Sequence, residues 1–443
     1  MIIYKSHLKE TLKLAIPISV GQLGHIMMGV VDSIMVGKVG SASLAAASLV
    51  NGIFFLIIVL GIGLSMAASP LIAMAKSSRN LDECGKTLNH SLLVNLIFSI
   101  VLMLLVYLSS FIIPHLNQPQ EVVKEAIPFM MVLIVSIIPF ILFQTYRQFL
   151  EGLSIPNPPM IIAVLANLLN LFFNWVFVYG NLGMPQWGLF GSGVSTTISR
   201  WVMAIALILF TLNHKKISQY KPQINFRFID TSLIKKLISI GLPSGFQYLL
   251  EVAAFSLAAI MIGWIGKTSL AAHQIALNLA SITYMIILGI SSAGSIRVGE
   301  AVGKKNVLQI RIAGFSALGV ASLIMFTFGF CFILLKNILP TFYSNEIEVI
   351  EIASQLLIVA ALFQIFDGLQ ATGIGVLRGL ADTKIPMIFS FISYWLIGIP
   401  IELLLAFYFN LGAVGIWIGL LIGLALVGIF TIVRFNHKSK LNY

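Results

Sequence analysis

Along the chain, apolar residues gather in runs of about 20 or more, the length a helix needs to cross a bilayer. Short polar segments separate the runs. None shows the strict alternation of a lipid-facing barrel strand, so helices are expected. Twelve spans are predicted, over 14–36, 49–75, 91–113, 127–150, 160–179, 189–212, 238–264, 270–298, 312–335, 350–376, 385–409 and 411–433. The predicted fold is all-α and integral to the membrane. Composition agrees: 58% of the 443 residues are hydrophobic and 10% charged, where a soluble domain carries about 25% charged. A mean hydropathy of +1.00 excludes a soluble enzyme and a disordered chain. The opening residues carry no small-residue cleavage site after a short apolar core, so the first span is expected to stay as an anchor.

The net charge is +11, from 27 Lys and Arg against 16 Asp and Glu. In a soluble protein that excess would point to nucleic acid. Here it reads as basic loops facing the cytoplasm and anionic lipid, with no nucleic-acid partner. With the N-terminus inside, 22 of the 27 basic residues fall in inner segments and four in outer loops, while Arg200 lies within a span. Both termini are therefore expected in the cytoplasm, with the chain in the plasma (inner) membrane. Cys84 and Cys331 sit in unrelated segments and form neither a disulfide framework nor a metal motif.

The longest polar stretch, 213–236, divides the chain into two sets of six spans. The expected organisation is an N-terminal lobe over 1–212, a cytoplasmic linker over 213–236 and a C-terminal lobe over 237–443. The lobes resemble each other. At an offset of 226, Pro17 falls on Pro243, Met35 on Met261, Ser43-Leu44-Ala45-Ala46 on Ser269-Leu270-Ala271-Ala272, and Gly63 on Gly289. Pro159-Met160 matches Pro386-Met387 at 227, and Asn181-Leu182-Gly183 matches Asn410-Leu411-Gly412 at 229. An even number of spans per repeat implies parallel repeats about an axis along the membrane normal. Internal repeats around a central site are the build of secondary transporters.

Four acids lie within spans: Asp32, Glu251, Asp367 and Glu402. Each costs roughly +2.5–3.5 kcal/mol or more at the bilayer centre, so each is expected to face a cavity or a partner. Glu251 and Asp367 stand on different helices of the second half. Paired carboxylates can capture a metal cation, exchange protons or attract an organic cation. Glu402 has no evident neighbours and lies near the outer end of its span. In the fifth span, Asn170 and Asn174 are spaced i, i+4 and share one helix face, which Asn167 extends. Thr196 adds a hydroxyl from the sixth. With Asp32 these supply only oxygen ligands, suited to a hard cation or a proton-linked network; the alternative is interhelical hydrogen bonding alone. His273, Gln274 and Asn278 place three polar groups within two turns of the eighth span, and His273 is a residue that titrates near neutral pH.

Enzyme motifs are absent: no HExxH, no GxxxxGK[ST], no Cys/His cluster. Without a phosphate-binding loop, an ion gradient is the ordinary energy source left. The stretches VDSIMVGKVGSASLAAASL, NWVFVYGNLG, GLPSGFQYLLEVAAF, SLAAHQIALNL and VLRGLADTKIPM together resemble the multidrug and toxic compound extrusion (MATE) family, in its NorM-like bacterial branch. The resemblance runs over essentially the whole chain. It implies two six-helix lobes forming a central V-shaped cleft, and a monomeric antiporter, not an enzyme, that exports cationic drugs or metabolites. It implies no cofactor, with Na⁺ or H⁺ as coupling ion. Asp32 matches the family's acid in the N-terminal lobe, facing polar positions matched by Asn170, Asn174 and Thr196. Glu251 and Asp367 match its two acids in the C-terminal lobe and are the candidate Na⁺ ligands. Some members carry Asp where Asn174 stands, so a proton switch confined to the N-terminal lobe fits less well here than sodium coupling through Glu251 and Asp367. Two other functions compete: a lipid-linked-saccharide flippase of the same superfamily, and an intramembrane aspartyl enzyme. The first usually lines its cavity with more basic residues; for the second, no Asp in a GxGD context accompanies Asp367.

Overall fold

A computed structural model describes residues 2–222 and 229–441. Its elements are α1 (Ile2–Gly37), α2 (Ser41–Ser65), α3 (Ala68–Ser77), α4 (Leu81–Ser110), α5 (Gln120–Val135), α6 (Ile137–Gly152), α7 (Asn157–Phe177), α8 (Gly188–Asn213), α9 (Lys215–Ser218), α10 (Thr231–Ile265), α11 (Lys267–Gly303), α12 (Val307–Leu335), α13 (Ile347–Gly379), α14 (Lys384–Ser390), α15 (Ile399–Leu403) and α16 (Gly412–Lys438). Two π-helical stretches, Phe391–Gly398 and Leu404–Tyr408, join α14, α15 and the turn into α16. The fold is all-α because in hydrocarbon only intrahelical hydrogen bonds satisfy an isolated backbone. Among the described residues eleven helices are long and apolar enough to cross a membrane, or twelve when α5 and α6, bent by 41°, form one span. The chain is thus a multi-span membrane protein, as its apolar runs predict. Helix starts carry local signals: the Asn80 side chain accepts from Glu83 N at α4 and that of Asn306 from Gln309 N at α12.

The chain divides into two compact units. One is Val20–Gly245. Its core has a cluster around Phe54, Ile58, Leu102 and Met130 and another around Ile72, Leu88, Phe149 and Leu207. The other is Met1–Ser19 with Phe246–Tyr443. Its core gathers Ala258, Leu356, Tyr394, Trp417 and Leu420, with a second cluster around Val298, Val376 and Phe435. The cuts fall inside α1 and α10, at positions 19 and 245, which are 226 apart and so equivalent in the repeat. The first half of α1 packs on α11, where a Cβ on Gly289 would strike Ser19 and the Ala15 carbonyl. Ser19 Oγ donates to Ile286 O at 2.9 Å. In the other unit, the first part of α10 packs on α2, and a Cβ on Gly63 would strike Gly245. Gly63 and Gly289 are themselves repeat partners. Both crossings need the missing side chain, because small residues are what let membrane helices approach closely.

Of the predicted linker, residues 223–228, and Arg227 with them, lie outside the described residues. On either side, Asp230 N donates to His90 Nε2 at 2.8 Å and Lys221 pairs with Asp82 at 2.8 Å. Three arginines grouped with the inner segments turn out to be buried within helices: Arg147, Arg297 and Arg378. Each has a partner that offsets part of the cost of burying it. Arg147 meets Glu151 at 2.6 Å one turn on. Arg297 meets Glu10 at 2.8 Å, Thr11 and His7. Arg378 hydrogen-bonds Tyr248.

Candidate functional site

In Val20–Gly245 the polar residues of three helices converge on Asp32. Asn174 Nδ2 donates to Asp32 Oδ1 at 2.5 Å and Thr196 Oγ1 donates to Oδ2 at 2.9 Å. Behind them, Asn174 Nδ2 also approaches Asn170 Oδ1 at 3.2 Å, and Asn170 Nδ2 donates to Thr196 Oγ1 at 3.4 Å. Asn170 and Asn174 are fully buried, Asp32 half-buried. The i, i+4 spacing on α7 puts both amides on the face turned to α1 and α8. Asn167 does not join them: its Nδ2 donates to Gly24 O at 2.8 Å and Ala163 O at 3.1 Å, tying α7 to α1. Among the described residues the hydrogen-bond partners of the Asp32 carboxylate are neutral donors, and it forms no ion pair. The nearest counter-charge is Arg200, which acts on Asp32 electrostatically. Arg200 itself donates to Ser136 Oγ at 2.6 Å and lies over the rings of Phe54 and Phe140, at 5.3 and 5.0 Å.

Arg200 follows Thr196 by one turn, so the same spacing rule that joined the asparagines reaches it. Sequence reading left it outside the site because its partners lie far off in the chain. Ser192, Ser195 and Ser199 continue the α8 stripe with buried hydroxyls that find no partner. Such groups are where a water or a transported ion finds acceptors.

The second cluster lies wholly within the other unit. Glu251 of α10 accepts from Gln370 Nε2 at 3.0 Å and from Tyr284 OH at 3.4 Å. Asp367, one turn before Gln370 on α13, is buried and within electrostatic reach of Glu251. Tyr284 and Tyr394 feel both carboxylates. Alongside, Gln364 and Thr283 exchange hydrogen bonds of 2.7 and 3.0 Å. Two acids, two phenols and amides in one buried region can hold one positive charge well and two negative charges badly. Among the described residues no group of three or more His, Cys, Asp and Glu assembles, so a cation here would draw on the carboxylates and neutral oxygens together.

The trio of the eighth span separates. His273 is buried, accepting at Nδ1 from Trp417 Nε1 at 3.1 Å with its ring edge-on to the indole. Gln274 and Asn278 point outward from α11 and are exposed. Glu402, set aside in sequence as isolated, is 1% exposed, among the most buried acids of the chain.

Comparisons with known proteins place the chain in a family. The MatE family model matches the chain twice, over residues 17–176 and 243–404. The chain is 30% identical to the multidrug resistance protein NorM of Photobacterium profundum, over 98% of this chain and 96% of that one. It is 32% identical to the multidrug resistance protein MdtK of Yersinia pseudotuberculosis, over 98% and 96%. Among solved structures, a MATE protein in the bent conformation superposes with a TM-score of 0.90 at 21% identity, over 98% of this chain and 95% of that one. The eukaryotic MATE transporter AtDTX14 gives 0.89 at 22%, over 99% and 98%. The double match covers most of the chain and coincides with the repeat that the sequence itself displays; this protein belongs to the MatE family.

Proposed function

We propose that the protein is a multidrug efflux antiporter that exports lipophilic organic cations in exchange for inward Na⁺ or H⁺. It works as a monomer in the plasma (inner) membrane, with both termini cytoplasmic. Its moving parts are the six-helix lobes 1–212 and 237–443, joined by 213–236. The observation that carries this reading is the pairing of Glu251 and Asp367 within one buried cluster rich in phenols and amides. Two carboxylates without a resident cation repel each other. An entering Na⁺ or proton relieves that repulsion, and so does a drug cation, whose aromatic body the tyrosines can hold. Competition for the same charges is what antiport requires. Asp32, with Asn170, Asn174 and Thr196, supplies a second ion-sensitive point in the other lobe. His273, tied to Trp417, supports α11 rather than touching substrate, and Gln274 and Asn278 border the pathway at most. The flippase reading gains nothing from the buried arginines, because Arg147, Arg297 and Arg378 are already held by Glu151, Glu10 and Tyr248.

The test is transport of a fluorescent organic cation in proteoliposomes, with Na⁺ and H⁺ gradients imposed separately. Drug binding to purified protein across a Na⁺ titration accompanies it. Linkage requires that drug and ion weaken each other by the same factor, and a coupling of ~1–3 kcal/mol is about 5–150-fold. Glu251→Gln and Asp367→Asn should each abolish most of that Na⁺ or pH dependence. A wild-type affinity indifferent to both ions would refute the shared-charge mechanism.

A further inference from the structure

The repeat does not keep a constant offset. It is 227 at Pro159 and Pro386 but 229 at Asn181 and Asn410, so the second copy gains two residues in between. The two copies of the family match end 228 apart, at residues 176 and 404, between those two offsets. In the first copy this stretch is α7, an unbroken α-helix. In the second it is α14 and α15, interrupted by π-helical stretches at Phe391–Gly398 and Leu404–Tyr408. A π-bulge accommodates one extra residue within a helix, and such bulges concentrate at functional sites. Two extra residues therefore match two π stretches. Between them the offset is 228, which places Glu402 on Asn174, the amide that holds Asp32.

The packing keeps this register. Gly191 of α8 abuts the backbone of Phe177. Counted from the helix starts Gly188 and Gly412, its counterpart is Gly415 of α16, an offset of 224 after a shorter loop; Gly415 abuts Leu405 and Ala406, and Leu405 is Phe177 shifted by 228. One turn further, where α8 carries Ser195 and Thr196, α16 carries Gly419 and Leu420. Gly419 lies against the Glu402 side chain. The position equivalent to Asp32 is Ala258. At the positions equivalent to Asp32, Asn174 and Thr196 the second lobe thus carries Ala258, Glu402 and Leu420, with the acid on the fifth helix of the repeat and no hydroxyl facing it from the sixth. Glu402 is 1% exposed, and its Oε2 has no hydrogen-bond partner.

We infer that Glu402 is a proton-binding site, the second lobe's counterpart of the Asp32 network, and that it loads and releases a proton during the transport cycle. This rests on the antiport reading above. An ionised carboxylate buried with one oxygen lacking a donor is expensive, which favours the protonated group at rest. α16 meets it at Gly419, which does not titrate. The titratable groups of the surrounding core are Tyr394, in the preceding π stretch, and His273, which is tied to Trp417. The carboxylates Glu251 and Asp367 act on Tyr394, while no charged group acts on Glu402. A purely structural role is poorly served by such a residue, since an unsatisfied buried polar group costs about 1–3 kcal/mol that an apolar side chain would not. On release the O–H bond of Glu402 breaks, the electron pair stays on the carboxylate and the proton passes to water admitted when the flanking π stretches rearrange. Reprotonation from the opposite aqueous phase reverses the step.

The test uses full-length protein in proteoliposomes. A hydrophobic carbodiimide attacks protonated carboxyls, and mass spectrometry locates the adduct in wild type, so this arm depends on no variant folding. Modification at Glu402 that declines as pH rises and changes with an imposed drug gradient supports the site. No adduct, or one indifferent to pH and drug, overturns it, because an exchanging proton must be reachable. In the second arm E402Q should flatten the pH profile of cation efflux and lower the rate at least about fivefold, with E402D restoring the profile. An E402Q profile equal to wild type overturns the inference while leaving the antiporter intact. If wild type exports no organic cation in any gradient, the antiport reading falls, and the carbodiimide pH titration still decides whether Glu402 exchanges a proton.

Discussion

Asp32 illustrates how much a single costly residue reveals. Its position in an apolar run is enough to predict a partner, and the i, i+4 asparagines and Thr196 are the partners found, with bonds of 2.5 and 2.9 Å to the carboxylate from Asn174 and Thr196. Asp32→Asn keeps the shape but removes the charge and its response to ions. Export should fall by about 5–150-fold, the range of an ordinary coupling energy, at unchanged expression. Efflux of a fluorescent cation from cells, normalised to protein in the membrane, measures it. Wild-type export by the variant would leave the cluster a helix-packing contact. Proximity in sequence did not keep His273 with Gln274 and Asn278. A helix turns each successive residue by about 100°, so adjacent His273 and Gln274 face different ways while the i, i+4 pair Gln274 and Asn278 shares an exposed face. Arg200 was missed for the opposite reason: its partners Ser136, Phe54 and Phe140 come from other helices.

At the scale of elements, the glycine crossings carry the sharpest expectation. Gly289 on α11 and Gly63 on α2 each lie where a Cβ would meet the backbone of the crossing helix. Gly289→Ala should therefore destabilise the purified protein by ~1–3 kcal/mol, as overpacking does, despite the higher helix propensity of Ala. Gly319→Ala on α12, where a Cβ would meet nothing within 4 Å, should be neutral or slightly stabilising. Thermal unfolding in detergent compares the two. Equal melting temperatures would mean that the crossing is looser than its geometry. The π stretches were also legible in sequence, though only as an offset that grows from 227 to 229. The count says that two residues must be absorbed; it does not say whether by a bulge, a kink or a longer loop, because the choice depends on what α16 packs against.

For the whole molecule, the charge asymmetry makes a claim about orientation. A fluorescent protein that folds only in the cytoplasm should light up when fused after Tyr443, and an alkaline phosphatase that needs the periplasm should stay silent there. The reverse pattern would invert every loop assignment. The number of spans, their helical character and the twofold repeat were all written in the linear pattern, because bilayer thickness, backbone satisfaction and sequence offset each act on local stretches of chain. Tertiary structure decided the rest. It placed the borders of the compact units inside α1 and α10, where the first halves of those helices find their close glycine partners on α11 and α2. It buried Arg147, Arg297 and Arg378 beside partners that a loop would not supply. It also brought Gln370 and Tyr284 to Glu251 and left Glu402 Oε2 without a partner among the described residues. Those outcomes depend on which faces of distant helices meet, and a hydropathy pattern records only that a face is apolar, not what it will touch.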